Sequence, residues 1–211
     1  MVKCFAKCHQ VLPIGNYSYW ESSSETSDEK EISNYLEKIK IENKKILHIG
    51  IGNSHIASRF SKNNNIVGLT IAKAEFIFAK KLNLKNYKIL MINKYTKKLN
   101  ILRKSNFDII IDSNLKSYAC CQKAFEEMFS IFSSLLIKKG YIITNKRGMG
   151  WSSILVPKLS FSLKRFAKKI LKEIKGSKKN ILTIKECKIL AKKNNLTFNQ
   201  EKKNLVKLIK I

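Results

Sequence analysis

The sequence predicts a doubly wound α/β fold built on a mainly parallel sheet of seven strands. Three observations lead to this prediction: short apolar runs alternate with amphipathic helical segments, a Gly-x-Gly turn follows the first run, and the chain ends in two strands joined by a polar turn. Repeated strand–helix units imply right-handed crossovers between parallel strands, whereas the terminal pair predicts an antiparallel hairpin. The 211 residues are enough for one domain around a single core.

The segment Lys45–Ser54 carries the clearest signal. Ile46–Ile49 is predicted to be a buried strand, Gly50 and Gly52 a tight turn, and an apolar helical pattern follows at Ile56, Ala57 and Phe60. Glycine lets the backbone turn sharply and approach a ligand closely, and the N–H groups that open the next helix face the same point. We therefore expect a nucleotide-like cofactor at this turn, although Gly-x-Gly after a strand also occurs in ordinary turns.

Four further apolar runs predict the second to fifth strands. They are Asn65–Ile71, Tyr87–Ile92, Phe107–Asp112 and Tyr141–Thr144. Ligands in a doubly wound sheet bind beyond the carboxyl ends of the strands, near the strand beside which the order reverses. The candidate site therefore consists of the residues directly after each strand: Gly50–Ser54, Thr70, Asn93 and Asp112–Asn114.

Helices are predicted between and around these strands. Thr26 and Glu29 form a capping box, which predicts the start of a first helix whose apolar face carries Ile32, Tyr35, Leu36 and Ile39. The later predictions are a helix with Phe76, Ile77, Ala79 and Leu82 on its inner side, a helix from Gln122 to Lys139 that Gly140 ends, and a helix over Ile184–Leu196. Strands Thr197–Glu201 and Leu205–Ile211 then form the hairpin.

Two segments lie outside this pattern. Residues 1–26 read as an N-terminal arm that includes the aromatic cluster Tyr17–Trp20, and residues 27–211 as one domain with an insert at about 148–180. The insert contains a basic amphipathic helix, with lysines opposite an apolar face at 161–175. We interpret it as a lid packed over the pocket. Peripheral docking on a membrane surface is the alternative.

The formal net charge of +27 does not identify a partner. A basic surface attracts nucleic acids and anionic membranes alike. Nearly all the basic residues are lysines, and base and bidentate phosphate recognition favour arginine, which occurs only at positions 59, 103, 147 and 165. Nucleic acid stays open as a partner but is not favoured, and the oligomeric state cannot be inferred.

The five cysteines are predicted to be reduced thiols, because their number is odd and their spacing is not that of a disulfide framework: Cys4, Cys8, Cys120, Cys121 and Cys187. Cys4-x-x-x-Cys8-His9 looks like the start of a metal site, but a fourth ligand at matching spacing is missing, so no metal is expected. There is no leader pattern and no apolar run long enough to span a bilayer. We expect a cytoplasmic protein.

The order of strand–helix units, the glycine turn and the terminal hairpin together resemble the class I S-adenosylmethionine-dependent methyltransferases, from about Ile46 to the C terminus. The resemblance implies a Rossmann-like fold with S-adenosyl-L-methionine as cofactor. Tyr17-Ser18, Trp20, and Gly68-Leu69-Thr70 followed by Glu75 are similar to the cyclopropane fatty acid synthase branch. The Glu-His pair that this branch carries after strand four is absent, so we set cyclopropanation aside.

The resemblance also implies a set of cofactor-binding residues: His48, Ile49, Gly50, Ile51, Gly52, Asn53, Leu69, Thr70, Glu75, Asn93, Asp112 and Ser113. Some depart from the family pattern, which usually has acids where this chain has His48, Thr70 and Asn93, and a third glycine where it has Ser54. Thr70 or Glu75 can still bond a ribose hydroxyl, and the Asn93 amide can meet the edge of adenine.

Because the sulfonium of the cofactor is already activated, methyl transfer needs an aligned acceptor and at most a base. The candidate catalytic residues are Asp112, Tyr17 and Tyr19, with Tyr118 and His48 also near the pocket. The first hypothesis is therefore a methyltransferase acting on an oxygen or nitrogen of a small or envelope-type acceptor, such as a sugar or lipid. The alternatives are an RNA methyltransferase, suggested by the charge, and a non-catalytic binding module, suggested by the replaced acids.

Overall fold

A computed structural model describes residues 3–7, 11–16, 25–148 and 182–211. The helices are α1 (Ser27–Lys38), α2 (His55–Phe60), α3 (Lys73–Lys81), α4 (Gln122–Leu135) and α5 (Ile184–Lys193), and a 3-10 helix spans Lys97–Leu102. The strands are β1 (Lys45–Ile49), β2 (Asn65–Thr70), β3 (Tyr87–Met91), β4 (Phe107–Ile111), β5 (Leu136–Asn145), β6 (Leu196–Gln200) and β7 (Leu205–Lys210).

All seven strands form one sheet in the order β3-β2-β1-β4-β5-β7-β6. Strands β1 to β5 pair in parallel, while β7 lies antiparallel to both β5 and β6. The order reverses beside β1, which pairs with β2 on one side and with β4 on the other. The predicted fold class, including the terminal hairpin, is confirmed.

Each face of the sheet has its own apolar core, because successive strand residues point to opposite faces. On one face Leu47 and Ile110 lie with the inner residues of α4, including Phe125 and Phe129. On the other face the apolar residues of α1 and α2 cover the sheet, with these strand residues beneath them: Ile46, Ile66, Ile109, Ile111 and Ile143. Packing on both faces holds the central strands in place, and thereby positions the loops at their carboxyl ends.

The junction between α4 and β5 differs from the prediction. The helix ends at Leu135 rather than Lys139, and Leu136 is already extended and pairs with Phe107 of β4. Gly140 therefore lies inside β5 and does not end a helix. A Cβ on Gly140 would lie 2.9–3.0 Å from backbone oxygens of Ile137, Phe107 and Asp108, so glycine is needed for the close approach of β5 to β4.

Three local predictions about the helices are also wrong. Thr26 is the N-cap of α1 but makes no side-chain capping bond, and the Glu29 side chain is buried, with an oxygen 3.9 Å from His48 of β1. Ile39 is 42% exposed, and Ile77 of α3 is 54% exposed rather than on the inner side. Ala79 alone of the four predicted α3 residues is buried, because α3 contacts the sheet along a narrow face.

The segment Tyr17–Trp20 and all but the first residue of the predicted insert, including its basic helix, lie outside the described residues. The lid and the aromatic part of the arm therefore stay predictions. Among the helices that are described, none has the length and apolar character needed to cross a membrane.

Candidate functional site

A cavity of about 540 Å³ opens at the carboxyl ends of β1, β2 and β4. This is the point where the strand order reverses, which is where doubly wound sheets bind ligands. Its volume is in the range of small-molecule sites. The walls come from the loops after β1, β2, β3 and β4, from Arg147 and Gly148 after β5, from the start of α1, from α3 and from Leu12 of the arm.

The loop after β1 forms the floor of the cavity. Gly50 and Gly52 both have positive φ angles, +71° and +48°, and the Gly50 N–H donates to the Leu69 carbonyl at 2.8 Å. A Cβ on Gly50 would find no atom within 4 Å, so a ligand has room to approach the backbone there. Ile51 is fully buried and its side chain packs over Gly68, so this side chain does not line the cavity, and a contact between Ile51 and the cofactor stays a prediction.

A carboxylate from α3 reaches the end of β2. The Thr70 hydroxyl donates to Glu75 Oε2 at 2.6 Å and accepts from the Ala72 N–H at 2.9 Å. Burial raises the pKa of Glu75, while the Thr70 hydroxyl and a backbone hydrogen bond from Gly52 lower it. Glu75 therefore links the glycine loop to the end of β2 and places a carboxylate beside Thr70.

Asn93, after β3, lines the cavity but its amide is already engaged. Asn93 Nδ2 donates to the Leu12 carbonyl at 2.8 Å, and Asn93 Oδ1 accepts from the Tyr95 N–H at 2.9 Å. The side chain thus holds the arm against the loop after β3. These bonds disfavour the predicted role of the Asn93 amide in meeting the edge of adenine.

Lys94 and Asp112 form a buried ion pair beside Asn93. Lys94 Nζ lies 2.7 Å from Asp112 Oδ2 and also donates to the carbonyls of Asn114 at 2.8 Å and Leu115 at 3.2 Å. Asp112 Oδ1 accepts from the Asn114 N–H at 3.1 Å. Burial lowers the pKa of Lys94 and raises that of Asp112, while their mutual attraction opposes both shifts. Because its carboxylate is committed to Lys94, Asp112 is disfavoured as the base predicted from sequence.

A second titratable cluster also lines the cavity. Glu29 Oε1 lies 3.9 Å from His48 Nε2, and three buried polar atoms have no hydrogen-bond partner among the described residues: Glu29 Oε1, His48 Nδ1 and His55 Nε2. Burial, followed by repulsion from Glu25, Asp28 and Glu75, raises the pKa of Glu29 to about 8. Burial lowers the pKa of His48 to about 4, so His48 is neutral at pH 7.

No known protein-family model matches the sequence, and no curated protein matches it significantly. Solved structures do match the fold. A S-adenosylmethionine-dependent methyltransferase from Methanosarcina mazei superposes with a TM-score of 0.58 at 16% identity, over 86% of this chain and 97% of that one. The chain has the class I methyltransferase fold.

Two further structures show how widely this fold is used. Magnesium protoporphyrin IX methyltransferase from Synechocystis PCC 6803, with bound SAH, matches with a TM-score of 0.57 at 12% identity, over 86% of this chain and 81% of that one. The [4+2]-cyclase SpnF matches with a TM-score of 0.54 at 10% identity, over 88% of this chain and 64% of that one. At such identities the likeness establishes the fold, and the chemistry must be argued from the cavity.

On this methyltransferase fold the predicted cofactor residues, except Ile51, line the single cavity described above. Tyr17 and Tyr19 lie outside the described residues, so their catalytic role stays a prediction. Sequence reasoning missed Leu12, Glu29 and Lys94 as cavity residues. Lys94 directly follows the predicted Asn93, and Glu29 was assigned to a helix cap. Leu12 left no signal, because nothing in the sequence places the arm against the sheet.

Proposed function

We propose that the protein is a S-adenosylmethionine-dependent methyltransferase that acts on an oxygen or nitrogen of a small or envelope-type acceptor, such as a sugar or lipid. One observation carries the proposal: the open side of Gly50 and the Glu75 carboxylate meet in one cavity at the carboxyl ends of β1 and β2. That combination offers close backbone approach and an acceptor for ribose hydroxyls in the same place.

The residues present fit the cofactor. Glu75 would hold the ribose hydroxyls, while Gly50 leaves room for the adenosyl group beside the backbone. The Asp28 carboxyl group also lines the wall, which suits a ligand with a cationic sulfonium. When bound, S-adenosylmethionine supplies a methyl group that its sulfonium has already activated for direct displacement.

The chain itself would align the acceptor and take up its proton. Glu29 is the described group best suited to this second task, because it lines the cavity, its Oε1 has no hydrogen-bond partner among the described residues, and its pKa of about 8 is close to the working pH. It replaces Asp112 in this role. Tyr17 and Tyr19 stay alternatives.

Calorimetric titration with S-adenosylhomocysteine tests the cofactor site directly. We expect one molecule bound per chain with micromolar affinity, and no detectable binding to Gly50→Val, because the valine side chain would fill the space beside the loop. Gly50→Ala should bind with intermediate affinity. Thermal melting of each variant checks that the loss comes from the site and not from unfolding, since a side chain at positive φ costs about 1 kcal/mol.

Glu75→Gln provides a second, milder test. Replacing the carboxylate by an amide removes a charge-assisted hydrogen bond to the ribose, so we expect roughly tenfold weaker binding. Glu126→Gln is the matched control, because Glu126 is a surface carboxylate of α4 outside the cavity, and it should leave the affinity unchanged.

Failure of the unmodified protein to bind S-adenosylhomocysteine would contradict the proposal. Binding of the cofactor product without turnover of any sugar, lipid or RNA acceptor in a screen for S-adenosylhomocysteine production would favour the non-catalytic binding module instead. Turnover confined to RNA would favour the RNA methyltransferase over a methyltransferase for sugars or lipids.

A further inference from the structure

Three cysteine thiols from distant parts of the sequence come together, one from the arm and two from the segment just before α4. The Sγ atoms of Cys4, Cys120 and Cys121 all lie within 4.8 Å of one another, and the last two are 4.0 Å apart. Cys4 is buried, and Cys120 and Cys121 are partly buried at the start of α4. The sequence spacing gave no sign of this cluster, since 116 positions separate Cys4 from Cys120.

Backbone contacts hold the three thiols in place. The Phe5 N–H donates to the Tyr95 carbonyl at 3.0 Å, and the Lys7 N–H closes a turn onto the Cys4 carbonyl at 2.9 Å. Tyr95 in turn donates its hydroxyl to the Ser117 carbonyl at 2.7 Å. The arm is thereby attached to the segment between β4 and α4 that carries Cys120 and Cys121.

The distances are close to those of a metal–thiolate centre. Zn–S bonds of about 2.3 Å place the sulfurs of a tetrahedral site roughly 3.8 Å apart. The observed separations therefore need a contraction of about 1 Å or less. Sulfur ligands select thiophilic ions over calcium or magnesium. The simpler explanation is that the thiols pack as small apolar side chains, as buried cysteines commonly do.

We propose that Cys4, Cys120 and Cys121 bind one thiophilic metal ion, Zn²⁺ or Cu⁺. Three thiolates suit trigonal Cu⁺, or Zn²⁺ with a fourth ligand from solvent. Each thiol releases its proton when the ion binds, so the ion displaces protons and no redox step occurs. Cys8 and His9, which the sequence analysis considered with Cys4, lie outside the described residues.

The ion would stabilise one wall of the cavity. The segment between β4 and α4 begins with Asp112, Ser113 and Asn114, which line the cavity, and ends with the two cysteines. A metal bond from this segment to Cys4 would fasten the arm across it. This proposal does not depend on methyl transfer, since it concerns only the thiols and the ion.

The test uses the full chain, reduced and freed of metal by a chelator under anaerobic conditions. Zn²⁺ and Cu⁺ are titrated separately in competition with a chromophoric chelator for each ion, which shows which ion the site prefers. We expect one ion per chain. Cys4→Ser, Cys120→Ser and Cys121→Ser should each weaken binding at least a hundredfold, because each removes one of three ligands.

Cys187→Ser is the matched control, because Cys187 is a buried thiol of α5 outside the cluster. The metal affinity of this variant should stay within twofold of that of the unmodified chain. As an independent readout, the preferred ion should raise the melting temperature of the unmodified chain but not that of Cys120→Ser. Absence of stoichiometric binding would overturn the proposal. Binding that survives in both Cys120→Ser and Cys121→Ser would overturn it as well.

Discussion

Lys94 and Asp112 show how one residue pair can decide the chemistry of a site. Both side chains are buried, at 9% and 1% exposure, where an unpaired charge is costly. Three oxygens surround the Lys94 ammonium, so each of its hydrogens has an acceptor. The pair therefore stabilises the loops after β3 and β4, and this role explains why Asp112 is a poor candidate for the base.

Removing one member of this pair should be strongly destabilising. Lys94→Met leaves the Asp112 carboxylate buried and unpaired, and we expect the free energy of unfolding to fall by about 3–5 kcal/mol. Urea denaturation measures the loss. The double variant Lys94→Met with Asp112→Asn should lose less than the sum of the single variants, because no buried charge remains.

A surface pair gives the matched control. Lys44 lies 3.4 Å from Asp108, and its side chain is 44% exposed. Lys44→Met should change the free energy of unfolding by about 1 kcal/mol or less, since exposed ion pairs contribute little. Equal losses in Lys94→Met and Lys44→Met would show that the Lys94 pair is not buried as described.

Glu29 and His48 should give opposite contributions to the pH dependence of stability. Folding raises the pKa of Glu29 from 4.5 to about 8, so between these values the folded chain holds a proton that the unfolded chain has lost, and stability falls as pH rises. Folding lowers the pKa of His48 from 6.5 to about 4, so its contribution increases with pH between 4 and 6.5.

The contribution of Glu29 can be measured separately between pH 6.5 and 8. The contribution of His48 to the pH dependence is confined to lower pH, between about 4 and 6.5. Between pH 6.5 and 8, Glu29 should lower the free energy of unfolding by up to about 1.4 kcal/mol per pH unit. Glu29→Gln should remove that decline in denaturation series run at fixed pH values. A decline of equal slope in Glu29→Gln would contradict the assignment of this decline to Glu29.

At the scale of elements, the α4–β5 junction shows that a helix can end without a conventional stop signal. The run Leu135-Leu136-Ile137 is apolar and fits either a helix or a strand. Pairing of Leu136 with Phe107 decides between them, and a register shift between Phe107 and Ile109 accommodates the extra length. Glycine is required at position 140, because a side chain there would be too close to the backbone oxygens of β4 and of Ile137.

Gly140→Val should therefore destabilise the fold. The added Cβ would meet backbone oxygens at 2.9–3.0 Å, and backbone cannot move aside as a side-chain end can. We expect a loss of at least about 2–3 kcal/mol in the free energy of unfolding, measured by urea denaturation. Lys138→Val is the control on the same strand, because Lys138 is exposed and its replacement should cost little. A stable Gly140→Val variant would contradict the bulge geometry.

At the scale of the whole molecule, the net charge of +27 acts on stability more than on fold. Like charges repel across a compact surface, and salt screens this repulsion over a Debye length of about 10 Å at 0.1 M. Raising the NaCl concentration from about 20 to about 300 mM should therefore increase the melting temperature by a few degrees. Choline chloride should act equally, since the effect depends on ionic strength. A falling melting temperature would mean that screened ion pairs outweigh the repulsion.

The sequence alone predicted the doubly wound α/β fold class, the glycine loop after β1 and most of the predicted site residues that line the cavity. These follow from local signals: apolar runs of strand length, turn glycines, and the rule that ligands meet the carboxyl ends of parallel strands. Gly50, Thr70 and Asp112 were located in this way, because each directly ends a strand or opens its loop.

Only the tertiary structure decided which of these side chains are available and which distant residues join them. Asn93 and Asp112 form hydrogen bonds with Leu12 and Lys94, the Glu29 side chain lines the cavity instead of capping its helix, and Cys4 meets the two cysteines just before α4. Such contacts join residues up to 117 positions apart in the sequence, and sequence periodicity carries no information about them. Burial and pairing, which set the pKa values and the polar partners of the site, exist only once those segments have packed together.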